Sequence, residues 1–543
     1  MNLNPSPESG PSNSLSLVVQ LGFAGSRHLF DADAHPNINT NQFHATVERH
    51  LTQCLLTLPA ELNLSSGHFL CGVSQIAIGA DMMFLRACRE LKILNRLLLP
   101  QPLDEYLTAK DFKGEPDFTE EQRQATRALI ANGQIVHEQV ASNAPDRQTR
   151  FEEANIEMVR VSDVLVCLRR SDASRKRGGT SDMFELAARR NRPVLDIQVS
   201  VENGEPRFET CWHRKDRFNP PRWPELLTTR GISVNGARPG LLPDLEDYCD
   251  LLRAATCSQS RQTREFFKRA ALLIIGAHVA ATMLATTALM LHDAGFVQWL
   301  LAAELMLLGS GLWVHHRLHH SHAARVWALS RLVSEVARSV RAATVSHEYL
   351  DYLFTLSFPE AIRPLLRTLN VLHLRTTHPV FRQPWEFRRD TYVRSRFTDV
   401  QSGQIEFYRD RLFNAQRWLH TARRVFYGCA SLTVAATLTK LLMICHYIPV
   451  VQAHELVVTN GLGALAVIMP VLAVAALSLA ASFDLEALAQ TYDETHQFLE
   501  SQLELLTSAD SEREFARLVL ETEARLLGET AVWASRRSFK GVE

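Results

Sequence analysis

Between residues 15 and 200, apolar positions fall in short runs separated by stretches of helical period. The runs Leu15–Phe23, His68–Ser74, Arg96–Leu99, Ile135–Val140, Val161–Leu168 and Pro193–Val199 predict strands. The run Val161-Ser-Asp-Val-Leu-Val-Cys-Leu168 is apolar nearly throughout, as a strand covered on both faces should be. Between the runs, Asn41–Leu58, Ala80–Leu91, Glu120–Ala131 and Ser181–Arg190 carry apolar residues at helical spacing. Such alternation predicts an α/β Rossmann-like domain, a parallel sheet with helices on both faces. The pattern then loosens over 201–258, which is dotted with Pro206, Pro220, Pro221, Pro224, Pro239 and Pro243. An irregular connecting region is expected there.

Beyond it the apolar residues concentrate in four segments, Ala271–Leu291, Val297–Val314, Phe426–Ile448 and Gly461–Ser482. Each is close to the ~20 residues that cross a hydrocarbon core. The expectation is an all-α region of four transmembrane helices with long cytoplasmic helices. Arg264, Lys268 and Arg269 precede the first segment, Arg317, Arg325 and Arg331 follow the second, and Arg417, Arg423 and Arg424 precede the third. The turns His292–Phe296 and Pro449–Asn460 hold no Lys or Arg. Positive charge inside then puts both turns outside and both termini in the cytoplasm of a cell with this chain in its inner membrane.

The two hairpins share a plan: a basic helical approach, a hairpin, and a long exit helix, Leu318–Thr344 in one and Leu485–Thr507 in the other. A duplicated two-helix unit is expected, with the exit helices setting a homo-oligomer. The chain thus divides into a polar tail (1–14), an α/β domain (15–200) and the connecting region (201–258). A first hairpin with its exit helix (259–345), a cytoplasmic helical middle (346–410) and a second hairpin with C-terminal helices (411–543) follow.

Composition removes several classes. With 46% hydrophobic and 22% charged residues, the 543-residue chain is neither disordered nor fibrous. A net charge of −1 provides no field to draw nucleic acid, and no nucleic-acid partner is expected. The nine cysteines are odd in number and scattered without a CxxC, which fits a reducing setting. The tail lacks the basic and apolar regions of a secretory signal.

Ligands of open parallel sheets bind at the carboxyl ends of the strands. Three glycine-bearing loops are expected there. Gly22-Phe-Ala-Gly-Ser-Arg-His28 offers Gly22, Gly25 and Ser26 for close backbone approach to a phosphate and Arg27 for pairing, or else forms only a tight turn. In Gly72-Val-Ser-Gln-Ile-Ala-Ile-Gly-Ala-Asp81, Gly79 permits close approach, and Asp81 either caps the following helix or binds a ribose hydroxyl. Arg177-Gly-Gly-Thr180 places Gly178, Gly179 and Thr180 at a helix start with Arg175 and Lys176 nearby, either an anion site or a solvated basic loop.

These motifs resemble the SLOG superfamily, the Rossmann-like nucleotide-binding domains related to the LOG and DprA/Smf proteins. Gly22, Gly25 and Arg27 match a Gly-x-x-Gly-His-Arg opening, with Ser26 in place of His. Gly72–Asp81 is similar to Ser-Gly-x-Ala-x-Gly-Ala-Asp, and Leu99-Pro-Gln-Pro-Leu-Asp-Glu-Tyr106 with Asp111-Phe112 resembles a third family stretch. The resemblance covers about residues 15–200 and implies a nucleotide ligand without a separate cofactor. In LOG hydrolases a Pro-Gly-Gly-x-Gly-Thr motif precedes a Glu, and here Arg150 and Glu185 would be the catalytic residues. The leading Pro and third Gly are missing, which favours binding without cleavage. The membrane half resembles SLATT effector modules, in particular over Trp327–Arg338. Together the resemblances imply a nucleotide sensor that opens a membrane pore in prokaryotic antiphage defence. A membrane-anchored nucleoside-monophosphate phosphoribohydrolase and a nucleotide-regulated channel or transporter are the rival readings.

Ionisable residues within spans are costly and usually functional. Glu304 and Lys440 stand at similar depth in segments two and three, so an ion pair or polar pore ring is expected. The other reading lets Lys440 snorkel outward while Glu304 faces protein. His278 is a further polar residue of segment one. His315, His316, His319, His320 and His322 have i,i+4 spacings without a Cys or acidic partner, so no metal is expected. No Ser-His-Asp, P-loop or HExxH pattern occurs.

Overall fold

The computed structural model describes residues 15–539 apart from 32, 66, 111–115, 133–134, 173–177, 228–243, 292–295, 377–382, 400–402 and 446–454. The polar tail, Asp111-Phe112, Arg175–Arg177 and most of the turns His292–Phe296 and Pro449–Asn460 therefore lie outside the described residues.

The alternating pattern forms β1 (Leu17–Gly25), α1 (Thr40–Glu61), β2 (His68–Ser74), α2 (Ala80–Glu90), β3 (Leu94–Leu99), α3 (Leu103–Thr108) and α4 (Glu120–Asn132). It continues through β4 (Ile135–Val140), α5 (Arg147–Val161), β5 (Val164–Arg170), α6 (Thr180–Arg189), β6 (Val194–Glu202) and β7 (Glu205–His213). The sheet order is β4-β3-β2-β1-β5-β6-β7. All neighbouring strands pair in parallel except β6 and β7, which form an antiparallel hairpin at the edge.

The region expected to be irregular, 201–258, is a correction. It contains β7 and the first turns of a long helix. Glu205, Arg207 and Glu209 share one face, but Pro206 and Thr210 stand beside Phe208 and Trp212 on the other, so the apolar alternation is weak and the proline reads as a breaker.

One sheet face packs Val19, Leu21 and Phe23 against Phe43, Val47, Leu51 and Leu55 of α1 and against α2. The other face has two covers. Toward the strands' carboxyl ends, Val73, Leu98 and Leu165 pack on Met158 of α5 and on Met183 and Ala187 of α6. Toward the amino ends, Val18, Cys71, Leu94 and Val136 pack on Val371 and Leu374. Those two residues come from the second half of the chain.

That half comprises α7 (Leu245–Met290), α8 (Val297–His320), α9 (Ala323–Ala343), α10 (Tyr352–Thr355), α11 (Arg363–Thr376) and α12 (Trp385–Tyr392). It ends with α13 (Gln404–Ile444), α14 (Glu455–Ser482), α15 (Leu485–Ser508) and α16 (Glu512–Phe539). Helix α11 carries Val371 and Leu374, and it is stitched to the sheet by Thr368, whose Oγ1 accepts from Val18 N at 2.9 Å, and by the Arg367–Asp163 ion pair at 2.6 Å. Tyr248 of α7 donates to Ser16 O at 2.9 Å and Trp223 donates to Leu15 O at 2.7 Å. The helical body therefore grips the amino-terminal side of the sheet, leaving the carboxyl ends pointing away from it.

Four helices, α7, α8, α13 and α14, are long and apolar enough to cross a membrane. Their faces carry large exposed apolar side chains, Leu289 at 79% and Trp299 at 73% among them. Water would penalise such a surface, whereas lipid would not.

The two hairpins repeat one plan. A long helix (α7, α13) leads to a shorter span (α8, α14), the chain breaks at a residue of positive φ, His322 (+47°) or Asp484 (+50°), and an exit helix (α9, α15) packs back on the long one.

Candidate functional site

The chain runs outward from β1 through β2 and β3 to β4, then returns to β5 on the other side of β1. The switch point thus lies between the carboxyl ends of β1 and β5, where open α/β sheets bind ligands. There Ser26 N donates to Leu168 O at 2.9 Å and Ala80 N donates to Ser26 O at 3.2 Å. The first two loops are thereby locked to each other and to β5.

Gly79 explains the closeness. Its φ is +91°, and a Cβ would lie 2.3 Å from the Arg27 carbonyl oxygen and 2.9 Å from that of Ser26. Gly25 ends β1, where a Cβ would meet the Ala80 Cβ at 2.4 Å. Gly22 lies within β1 rather than in a loop, and a Cβ there would strike Ser162 Oγ at 2.2 Å. Its role is close packing, and it lies away from the crevice.

Two helices begin at this point, α2 behind Gly79 and α6 behind Gly179, and no side chain caps either N-terminus. Thr180 is the first residue of α6. Gly178, at φ +74°, donates its N–H to Asp182 at 3.1 Å, and its carbonyl accepts from Asn155 at 3.0 Å. Asn155 in turn accepts from Gln75 at 2.7 Å. The buried pair Gln75–Asn155 therefore ties the loop after β2 to the loop after β5. A pocket of about 330 Å³ opens beside it between α5 and α6, lined by Glu152, Asn155, Asp182 and Arg189 among others. A larger crevice of about 900 Å³ lies elsewhere, between residues 348–355 and α16.

Asp81 neither caps α2, whose N-cap is Gly79, nor reaches the open crevice. It is buried, accepts from Ala77 N at 3.0 Å, and leaves Oδ1 without a hydrogen bond. Burial pushes its carboxyl up to about 7, outweighing the nearby Ala77 and Gly25 N–H groups and the charge of Arg27. Asp81 shapes the loop, and a ribose contact is not what its position offers.

Arg27 is exposed and pairs with Asp117 at 3.1 Å. Arg147 pairs with the same carboxylate. Two guanidinium groups share one nearly buried carboxylate, so the rim keeps a net positive charge suited to an anion. Arg150 spends its guanidinium on Ala144 O at 2.6 Å and Gln101 at 3.3 Å, and Glu185 is half-buried along α6. Arg177 lies outside the described residues.

Gln75, Asn155, Asp117 and Arg147 escaped the sequence reading. Only Gln75 had a signal, its place inside the Gly72–Asp81 motif; the others meet the site through space.

One cluster of described residues has metal-ligand chemistry: Asp196 on β6 with Cys211 and His213 on β7. Arg169 already holds Asp196 through two bonds, at 2.8 and 2.7 Å, and Gln198 adds a third at 2.8 Å. A dication there would sit against a guanidinium, so the set does not fit a metal.

In the apolar helices, α8 packs on α7, α7 on α14 and α14 on α13. This row puts α8 and α13 at opposite ends. The expected Glu304–Lys440 pair is therefore not formed. Both residues are half-buried, and the Lys440 ammonium lies against Gly463 of α14, within its own hairpin. His278 bonds to Ile274 O at 2.7 Å along its own helix, beside Gly311 of α8.

No protein-family model matches this chain, and no curated protein matches it either.

Proposed function

We propose that this protein is a nucleotide-sensing membrane effector. A nucleotide-type signal molecule binds at the switch point, and the bound form of a homo-oligomer opens the four apolar helices into a leak that disrupts the membrane, as an antiphage defence would require. The observation that carries the reading is the convergence of Ser26–Arg27, Gly79 and Gly178–Thr180 around two uncapped helix N-termini. The helix dipoles and the Arg27 charge both favour a phosphate there. The resemblance of the same motifs to SLOG domains, and of the membrane half to SLATT modules, supports the same reading. A ligand shifts such an equilibrium only through differential affinity, so the closed form must bind weakly.

The test uses the full chain in detergent, because α11 covers apolar residues of the sheet that a shortened chain would expose. Mononucleotides, cyclic oligonucleotides and ADP-ribose derivatives are screened by thermal shift, and any hit is recovered and checked for cleavage. A saturable shift with the ligand intact, lost in Arg27→Ala and Gly179→Asp, is expected. Cleavage of the hit would replace the sensor by a hydrolase acting through Arg150 and Glu185. No shift with any of these compounds would remove the nucleotide from the account.

A further inference from the structure

At the switch point one carboxylate stands between two guanidinium groups. Asp117, whose side chain is 3% exposed, meets Arg27 at 3.1 Å and also pairs with Arg147. Each arginine adjoins one of the two helix starts. The Arg27 carbonyl oxygen lies 2.3 Å from where a Cβ on Gly79 would stand, at the start of α2. Arg147 opens α5, and the side chain of its neighbour Gln148 lies 3.0 Å from where a Cβ on Gly178 would stand, at the start of α6. Asp117 is fixed in turn: its N–H donates to Ala109 O at 2.9 Å, and Arg147 also donates to Lys110 O. The chain thus brings its own anion to the place that the dipoles of α2 and α6 favour for one.

Tyr106 supplies a second, independent sign of a ligand. It is 1% exposed, and its hydroxyl has no hydrogen bond among the described residues. Its ring meets Phe118 edge-on at 5.5 Å and lies 6.1 Å from Phe151, over which the Arg147 guanidinium sits at 5.6 Å. The hydroxyl feels the charges of Arg27, Asp117 and Arg147 alike. A buried O–H without an acceptor costs free energy, and an acceptor held by the same two arginines would relieve it. The other carboxylates of this edge are engaged: Asp182 accepts from Gly178 N at 3.1 Å and Asp146 from Thr149 N at 2.8 Å. Burial holds Asp81 near its neutral form, its carboxyl pushed up to about 7.

We propose that Arg27 and Arg147 form a two-armed clamp for a phosphate group, with the Tyr106 hydroxyl as a third donor and Asp117 as the internal carboxylate that the phosphate displaces. Guanidinium forks match carboxylate and phosphate oxygens with the same geometry, so one anion can take the other's place. A phosphate monoester carries about 1.5–2 negative charges near neutral pH, against one on the carboxylate, and so competes for the clamp. The inference rests on the switch-point reading of the site and adds Arg147, Tyr106 and Asp117 to it. It also gives a cause for weak binding in the closed form, whose own carboxylate must leave first.

The test titrates the full chain in detergent with inorganic phosphate at constant ionic strength, reads the thermal midpoint, and repeats the titration with AMP and ADP-ribose. Phosphate should raise the midpoint saturably, and sodium chloride of equal ionic strength should not. Asp117→Asn should need at least tenfold less phosphate, because the competitor is gone. Arg147→Gln should need at least tenfold more, and Tyr106→Phe should also need more. Arg127→Gln, which removes an exposed arginine paired with Asp104, should respond as the parent does. A higher phosphate requirement in Asp117→Asn would make the carboxylate a support for the arginines and overturn the displacement. An unchanged requirement in both Arg147→Gln and Tyr106→Phe would overturn the clamp. If Asp117→Asn does not accumulate, Asp117→Ser is read by the same criterion. The expected pattern with phosphate, without a response to either nucleotide, would uphold the clamp and count against the nucleotide. A nucleotide response indifferent to all three substitutions would uphold the nucleotide and overturn the clamp.

Discussion

At Gly79, a side chain has nowhere to go: φ is +91° and the carbonyl of Arg27 stands in the path of any Cβ. Gly79→Ala should therefore cost about 1–3 kcal/mol and lower the thermal midpoint, because both the conformation and the contact resist it. Asp81, two residues on, makes stability depend on pH. Its folded carboxyl titrates near 7, against 3.8 as the reference value. A raised acid pKa means that the folded state holds the proton more tightly. The resulting stability is fully present below the reference pKa and is lost as pH rises through the folded pKa. Stability should thus fall between about pH 4 and 7, by up to about 4 kcal/mol. Asp81→Asn should remove that slope, as read by denaturation at several pH values. An unchanged slope would show that another group carries it. Gly25 and Gly79 were legible in the sequence because a tight backbone approach demands glycine, whereas Gly22 proved to be a packing residue inside β1 and Asp81 a buried loop residue. Asn155 was not, since nothing in α5 announces that one residue bonds both Gln75 and Gly178.

Periodicity located most of the elements but left open what covers them. Helix α11 reads as an amphipathic helix of the second half, yet its apolar face covers the sheet of the first. β7 was missed because Pro206 and Thr210 interrupt its apolar face, leaving only Phe208 and Trp212 there. A π-helical segment, Val393–Thr398, follows α12 and delivers Arg396 into the bundle. There Arg396 holds Glu523 of α16 through bonds of 2.7 and 2.6 Å, and Tyr392 adds a third at 2.8 Å. Arg396→Met strands a buried carboxylate and should cost about 3–5 kcal/mol. Adding Glu523→Leu should restore most of that loss, because an apolar pair of similar volume needs no counter-charge. A double variant no more stable than the single one would show that this pair is not the cause. The measurement is the thermal midpoint of each variant in detergent.

On the scale of the whole molecule, α7 runs for 46 residues, about 69 Å, from beside the start of β1 into the apolar layer. It reaches from Ser16, beside the sheet's amino edge, into the first hairpin. The switch-point crevice lies at the opposite, carboxyl edge of the sheet. The four apolar helices were legible because their apolar runs are long and nearly uninterrupted. Their order was not, since a row and a compact bundle carry the same hydropathy, and so Glu304 and Lys440 were mispaired. The topology has its own check in the cysteines. Cys445 is exposed just past the carboxyl end of α13, and Cys257 is exposed in α7 ahead of its apolar segment; the proposed topology puts the first outside and the second in the cytoplasm. A membrane-impermeant maleimide on intact cells should label Cys445 at once and Cys257 only after permeabilisation. The reverse order would invert the chain in the membrane. The central claim, that a nucleotide at the switch point opens the membrane, is tested most directly by dye release from liposomes holding the full chain, with the nucleotide panel added outside inward-facing and outward-facing preparations. The account expects release with one nucleotide class, only where the sensor faces the added ligand, and none from Arg27→Ala. Tight nucleotide binding with the dye retained would contradict it.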